Sequence, residues 1–150
     1  KMARVFRDQV LDLATSNQFC RNLINSGRLS VPFKLRGLKL DNEYQEDPLL
    51  GSIYIDFPIL DRKGSRLFLT DVIASGYNLL SFSKTKVEVP FDLNIIKVGG
   101  KTNQDVDFVD FKGIGLERYK DNLNYLIRPD GYIIGIFNEI NIKTLKKYML

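Results

Sequence analysis

Two short glycine-containing stretches have spacings that nucleotide-binding proteins use. Residues 112–118 contain Gly113-x-Gly115, the first part of a dinucleotide fingerprint, but the third glycine, which allows close helix–strand packing, is missing. Gly100-Lys101-Thr102 has the residue order of a phosphate loop, yet Ile95 stands where the first glycine of that loop belongs. Neither stretch completes its pattern, so neither predicts a phosphate site, and the first is interpreted as a flexible turn.

Five aspartates are the candidates for metal or acid–base chemistry. Asp105, Asp107 and Asp110 alternate like the opening of a calcium loop, but the glycine and the bidentate glutamate are absent at the required offsets. The spacing instead favours a solvated, partly strand-like edge. Asp56 and Asp61 flank the end of a predicted strand, and nothing in the sequence brings them within reach of each other. No metal site and no carboxylate pair is predicted.

Cys20 is the single cysteine, and the sequence contains no histidine. A lone cysteine forms neither an internal disulfide nor a CxxC redox pair nor a cysteine-rich zinc site. The missing histidine removes the commonest general base, proton shuttle and metal ligand. Cys20 follows Phe19 on an apolar helical face, so we interpret it as a small buried hydrophobic residue. The sequence therefore predicts no catalytic residue, no cofactor-binding residue and no metal ligand in this chain.

The chain has 150 residues, with 22 Lys+Arg against 18 Asp+Glu and a net charge of +4. This length predicts a single domain. The basic residues are spread along the chain, which favours a mixed, solvated surface and no nucleic-acid partner. No apolar stretch approaches the roughly 18 residues of a membrane span, and the first segment is charged and amphipathic, unlike a signal peptide. We therefore expect no membrane partner and a cytoplasmic location.

The first third of the chain is predicted to be a helical segment followed by a connector. Apolar residues recur with a helical period from Ala3 to Asn25, which predicts helix within residues 1–25. No initiating cap precedes this helix, which favours a chain cut from a longer protein. Ser26-Gly27 ends the helical region. Residues 26–52 are interpreted as an extended connector because they contain prolines and no sustained period.

Residues 53–150 are predicted to form an α/β core. The apolar runs at Asn78–Ser83 and Leu93–Val98 are typical of strands that are covered on both faces. The other elements predicted in this region are strands at Ile53–Phe57 and Arg66–Leu69, a turn at Asp61–Ser65 and a helical turn at Thr70–Ile73.

The clearest local pattern is a hairpin near the end of the chain. Tyr125–Ile127 and Tyr132–Phe137 flank Arg128-Pro129-Asp130-Gly131, in which the proline fixes φ and the glycine adopts a positive φ. Apolar residues between Ile140 and Met149 then fall on one helical face. The expected architecture is a mixed sheet with a terminal helix packed against it.

Four segments of the chain carry a family resemblance. They are Asn22-Leu23-Ile24-Asn25-Ser26-Gly27-Arg28-Leu29-Ser30-Val31-Pro32, then Pro48–Pro58 with Gly51, then Leu69–Ile73 followed by Gly76–Leu80, and last Leu126–Ile133 around Arg128-Pro129-Asp130. In this order they resemble the C-terminal domain of FAD-dependent aromatic-ring hydroxylases of the phenol hydroxylase and 3-(3-hydroxyphenyl)propionate hydroxylase type. The resemblance covers about residues 4–137.

The resemblance implies a thioredoxin-like fold, an α/β mixed sheet flanked by helices, appended to the flavin and substrate domains of a larger monooxygenase. In such a parent, flavin reduced by NADH or NADPH reacts with oxygen and hydroxylates a phenolic ring. FAD and NAD(P)H would belong to the parent, and this chain would be a non-catalytic, structural domain. Its implied partners are the flavin and substrate domains of its own chain, and a homodimer with subunit contacts is a further expectation.

The residues expected to matter structurally come from the first and last segments: Asn25, Ser26, Gly27, Arg28, Pro32, Arg128, Pro129, Asp130 and Gly131. The planar fork of Arg128 is expected to pin neighbouring carbonyls or carboxylates. Residues 25–32 are expected to brace the start of the domain. The alternative is a free-standing thioredoxin-like redox or protein-interaction module that uses Cys20, and rapid alkylation of that thiol would favour it.

Overall fold

The fold is taken from a computed structural model, which describes residues 34–35, 44–84, 89, 92–100 and 105–149. The described strands are β1 Pro58–Leu60, β2 Arg66–Phe68, β3 Asn78–Ser81, β4 Asn94–Gly99, β5 Phe108–Val109, β6 Asn124–Ile127 and β7 Ile133–Phe137. The described helices are α1 Leu69–Val72, α2 Ile114–Arg118 and α3 Ile142–Tyr148. The N-terminal helical segment, most of the connector, Cys20 and Asn25 to Pro32 lie outside the described residues.

The strands form a mixed seven-stranded sheet in the order β2-β1-β5-β4-β3-β6-β7. The centre is parallel, since β4 pairs in parallel with both β3 and β5. Both flanks are antiparallel: β1 joins β5 and β2 on one side, and β6 joins β3 and β7 on the other. Buried residues fill every position of β3, β6 and β7, as expected for strands covered on both faces.

One side of the sheet packs against the larger hydrophobic cluster. Ile59, Leu80 and Ile127 reach it from three different strands, and Phe57 and Tyr119 reach it from the segments that cross this side. Ring centroids of Phe57 and Tyr119 lie 5.8 Å apart, and those of Tyr119 and Tyr125 lie 5.0 Å apart in an edge-on arrangement. These aromatic contacts bury large apolar areas at the centre of the fold.

The opposite side of the sheet is covered at one end by α3. Leu145 and Tyr148 of this helix pack in a second cluster with Leu79, Leu126 and Ile134 from β3, β6 and β7. The helix is capped by Asn141, whose side chain accepts a hydrogen bond from the Lys143 N–H at 2.9 Å. The terminal helix and its packing on the sheet therefore agree with the sequence prediction.

Four predicted elements occur close to their expected places. β3 and β4 fall within one residue or two of the predicted buried runs, α1 lies at the predicted helical turn, and β6 pairs with β7 as the predicted hairpin. The turn at Asp61–Ser65 is also present, because the Asp61 N–H donates to the Ser65 carbonyl at 3.1 Å.

The strand predicted at Ile53–Phe57 is wrong. Ile53 makes one isolated bridge, to Tyr132, and the strand begins only at Pro58. The reason lies at Ile55, whose N–H donates to the Tyr119 hydroxyl at 2.7 Å while that hydroxyl donates to the Ile55 carbonyl at 3.0 Å. The Tyr119 side chain therefore binds the backbone groups that a neighbouring strand would otherwise bind. An alternating apolar pattern does not predict such a contact.

The segment interpreted as a flexible turn, residues 112–118, is instead the short helix α2. The buried carboxylate of Asp110 accepts the N–H groups of Gly113 and Leu116, each at 2.9 Å. These bonds satisfy two of the free N–H groups at the helix start. The sequence feature that could have predicted this helix is Asp110, an aspartate placed just before the helix start.

Within the described residues, no helix is both long enough and apolar enough to span a membrane.

Candidate functional site

The hairpin turn Arg128–Gly131 is the part of the predicted motif that the structure describes. The Gly131 N–H donates to the Arg128 carbonyl at 2.8 Å and closes a four-residue turn, and the Arg128 N–H donates to the Tyr132 carbonyl at 2.9 Å. Gly131 has a φ of +87°. A proline inside the turn and a left-handed glycine after it are the combination typical of three-residue hairpin loops.

Arg128 and Asp130 form an ion pair within this turn. The Arg128 Nε lies 3.0 Å from Asp130 Oδ1 and 3.1 Å from Oδ2, and Nη2 also contacts Oδ2. The hydrogen bonds from Arg128 hold the pKa of the Asp130 carboxyl below its usual value, and the same bonds raise the pKa of Arg128. The guanidinium thus binds a carboxylate two residues away along the chain. The pair is partly exposed to solvent, and its two charges cancel.

Residues 51–54 brace the hairpin from the outside. The Gly51 N–H donates to the Ile133 carbonyl and the Ile133 N–H to the Ser52 carbonyl, both at 2.8 Å. The Tyr54 N–H donates to the Gly131 carbonyl at 2.9 Å, and a Cβ on Gly131 would lie 3.4 Å from the Tyr54 ring. This brace was not predicted from the sequence, although Gly51, with a φ of +78°, marked a special backbone position.

The described part of the predicted connector also contributes to the core. Leu50 is buried in the larger cluster, and Asp47 is buried beside it. Asp47 accepts a hydrogen bond from the Leu49 N–H at 2.9 Å and pairs with Lys120 at 2.8 Å. The Tyr125 hydroxyl accepts the Lys120 N–H at 2.8 Å, so the turn at 44–50 is tied to the start of β6.

The aspartates that the sequence offered as ligands bind basic side chains or backbone N–H groups. Asp107 pairs with Arg62 at 2.8 Å, and Asp105 pairs with Lys97 at 3.0 Å. Asp61 accepts the N–H groups of Lys63 and Ser65, and the hydrogen bond from Ser65 is the main cause that lowers the pKa of its carboxyl. Among the described residues, no group of three or more acidic or cysteine side chains is arranged to hold a metal ion.

A surface depression of about 550 Å³ lies between the β1–β2 turn and the beginnings of β4 and β5. Two of its charged groups bind each other: the Arg62 guanidinium pairs with Asp107 and also donates to the Val106 carbonyl at 3.3 Å. Asn94, at the edge of the depression, donates to the Val72 carbonyl at 3.0 Å and to Asn78 at 2.7 Å. These contacts fix loops and do not point to a reaction.

Buried polar groups at the carboxyl end of β3 are satisfied within the protein. In open α/β sheets this end of a strand is where ligands usually bind. Here the Ser81 hydroxyl donates to Asn124 Oδ1 at 2.7 Å, and the Asn124 amide donates to the carbonyls of Phe137 and Asn138 at 3.2 Å and 3.1 Å. The Ser83 N–H donates back to the Ser81 hydroxyl at 3.3 Å. A hydroxyl–amide network therefore holds β3, β6 and β7 together at this position.

No protein-family model matches this sequence, and no curated protein matches it either. Among solved structures, the thioredoxin domain of the thiol-disulfide oxidoreductase BVU-2223 from Bacteroides vulgatus is similar over all of its length and 69% of this chain, with a TM-score of 0.50 and 15% identity. The chain has a thioredoxin-like fold. The fold predicted from the resemblance is thereby confirmed.

Two flavin-dependent hydroxylases contain a part with the same thioredoxin-like fold. Aklavinone-11 hydroxylase, solved as a ternary complex with FAD and aklavinone, is similar over 79% of this chain, with a TM-score of 0.53 and 17% identity. The flavin-dependent monooxygenase PieE, solved with FAD and substrate, is similar over 86%, with a TM-score of 0.53 and 12% identity. The matches fall on the C-terminal domain of such hydroxylases, and this chain spans only 26% and 29% of the two proteins.

The Gly113-x-Gly115 stretch does not fit the pyrophosphate of a dinucleotide. A pyrophosphate at this stretch would need free N–H groups at the start of α2. The N–H groups of Gly113 and Leu116 are already bound by the Asp110 carboxylate. A Cβ on Gly115 would lie 2.4 Å from the Phe57 ring, so this glycine accommodates a core side chain. Lys101 of the second glycine stretch lies outside the described residues, as does Cys20.

Proposed function

We propose that this chain is the structural, non-catalytic C-terminal domain of a larger FAD-dependent monooxygenase, which uses NADH or NADPH to hydroxylate a phenolic or other aromatic substrate. The observation that carries the proposal is the shared fold with two flavin-dependent hydroxylases, of whose length the chain accounts for about a quarter. FAD and NAD(P)H act in the remainder of that protein. We place the parent in the cytoplasm.

The composition of the chain supports a structural role over a redox role. A dithiol–disulfide cycle transfers two electrons through two thiols, and this chain has one cysteine. The thioredoxin-like fold is therefore present without the CxxC pair that carries thioredoxin chemistry. Its polar groups at the carboxyl end of β3 bind one another instead.

The hairpin and its brace are the elements that we assign to the structural role. The turn at Arg128–Gly131 is closed by its own ion pair, and residues 51–54 hold it on the outside. Such a turn keeps β6 and β7 in register without contributing a reactive group. A homodimer remains a prediction, which light scattering of the purified chain tests.

The test is to express the complete reading frame that encodes this chain and to assay the product. We expect bound FAD and an oxygen-dependent oxidation of NADH or NADPH that phenols stimulate, with a hydroxylated product detected by mass spectrometry. Cys20→Ser is the matched control and should leave turnover unchanged. An expressed protein that binds no flavin, or disulfide reduction that depends on Cys20, would overturn the proposal.

A further inference from the structure

One end of the sheet has an open face. In antiparallel strands, directly paired residues point to the same side, and the register pairs Pro58 with Phe68 and Leu60 with both Arg66 and Val109. These five residues therefore share a side, opposite Ile59 and Leu67, which pack in the larger cluster. We call this side of β2, β1 and β5, together with Phe111 and Lys112, the open face.

The open face is apolar and accessible. Phe68 is 53% exposed, the largest exposed fraction among the described large hydrophobic residues, and Pro58, Leu60 and Val109 are half-buried. The helix α3 covers the same side of the sheet only where β3, β6 and β7 lie. An exposed phenylalanine flanked by half-buried apolar residues is the pattern expected of an interaction surface.

The charges on the open face are positive. The Arg66 guanidinium carbon lies 5.7 Å from the centre of the Phe111 ring, and the Lys112 ammonium lies 5.9 Å from the same ring. The nearby carboxylates bind groups of this domain: Asp110 is buried at the start of α2, Asp107 pairs with Arg62, Asp71 accepts the Phe68 N–H at 2.8 Å, and Asp56 accepts the Thr70 N–H at 3.0 Å. None of the described strand positions on the open face is acidic.

These observations select one kind of partner. A second copy of this chain docked through the same face would bring together two surfaces that each carry Arg66 and Lys112, which is electrostatically unfavourable. A surface with an apolar centre and an acidic rim complements both features. We propose that the open face docks on such a surface in the flavin-containing remainder of the parent protein, a proposal that rests on the proposed function.

Hydroxyl-radical footprinting of the unmodified protein tests this docking. The oxidation of Phe68 and Phe111 is compared between the 150-residue chain and the complete FAD-containing protein, with Ile142 on α3, 39% exposed, as the internal reference. We expect the oxidation of both phenylalanines to fall about tenfold in the complete protein, which corresponds to about 1.4 kcal/mol of docking free energy, while that of Ile142 stays unchanged. Equal oxidation of Phe68 in both proteins would overturn the docking proposal.

Charge variants separate this partner from the alternatives. Arg66→Glu in the complete protein should restore the oxidation of Phe68, whereas the matched variant Lys143→Glu on α3 should leave it protected. Protection that appears only at concentrations where the protein dimerises would assign the face to a second copy and contradict the proposal. If the complete protein holds FAD and Phe68 is still oxidised, the docking is wrong and the proposed function stands; if it holds no flavin, the proposed function itself fails.

Discussion

Some backbone N–H and carbonyl groups of this domain bind side chains and not a neighbouring strand, and Tyr119 is the clearest case of such a side chain. Its hydroxyl both accepts the Ile55 N–H and donates to the Ile55 carbonyl, and the residue is 1% exposed. Tyr119→Phe should lower the free energy of unfolding by about 1–3 kcal/mol, because the N–H and the carbonyl of half-buried Ile55 lose their partner. Urea denaturation measures this loss. Tyr132→Phe, at a half-buried position, is the control, and equal midpoints for the two variants would contradict the assigned role.

The buried tyrosines should make the domain sensitive to alkaline pH. Burial raises the pKa of Tyr125 to about 12 from 10.0. The folded state therefore holds this proton where the unfolded state releases it, so the stability contributed by Tyr125 is constant below pH 10 and falls between pH 10 and 12. The Tyr125 contribution to this fall should be about 1–2 kcal/mol. Stability measured against pH should fall less steeply in Tyr125→Phe; an unchanged slope would contradict the prediction.

The ion pair between Asp47 and Lys120 is asymmetric. The Asp47 side chain is 3% exposed and that of Lys120 is 62% exposed, and the hydrogen bond to Asp47 raises the pKa of Lys120. Lys120→Met leaves a buried carboxylate without its counter-charge, so we expect a lower urea midpoint. Lys143→Met, at an exposed position on α3, should not change the midpoint. Recovery of the lost stability in the double variant Asp47→Asn, Lys120→Met would confirm that the unpaired charge is the cause.

At the scale of elements, α2 packs closely against the core because its residue 115 is a glycine. A Cβ on Gly115 would lie 2.4 Å from the ring of Phe57, which is 1% exposed and packed on Tyr119 and Phe82. Gly115→Ala should therefore destabilise the domain by about 1–3 kcal/mol through overpacking. Gly76→Ala, where nothing lies within 4 Å of the added Cβ, should be close to neutral. Thermal unfolding compares the two, and equal effects would contradict the packing described here.

The elements also show which parts of the fold were predictable from the sequence. The hairpin at Arg128–Gly131 and the buried strands β3 and β4 carry local signals, namely turn residues and continuous apolar runs. The brace at residues 51–54 and the Tyr119–Ile55 contact join positions between 64 and 82 residues apart, and no local pattern encodes such pairs. The open face was also missed, because its apolar residues become neighbours only when β1 pairs with β2 and β5.

For the whole molecule, we propose that the thioredoxin-like fold serves as structure and that the flavin lies elsewhere in the parent protein. The most direct test is the FAD content per polypeptide after each protein is mixed with excess FAD and desalted, read from flavin absorbance. We predict no retained FAD for the 150-residue chain and about one FAD for the product of the complete reading frame. Stoichiometric FAD on the 150-residue chain would contradict this account.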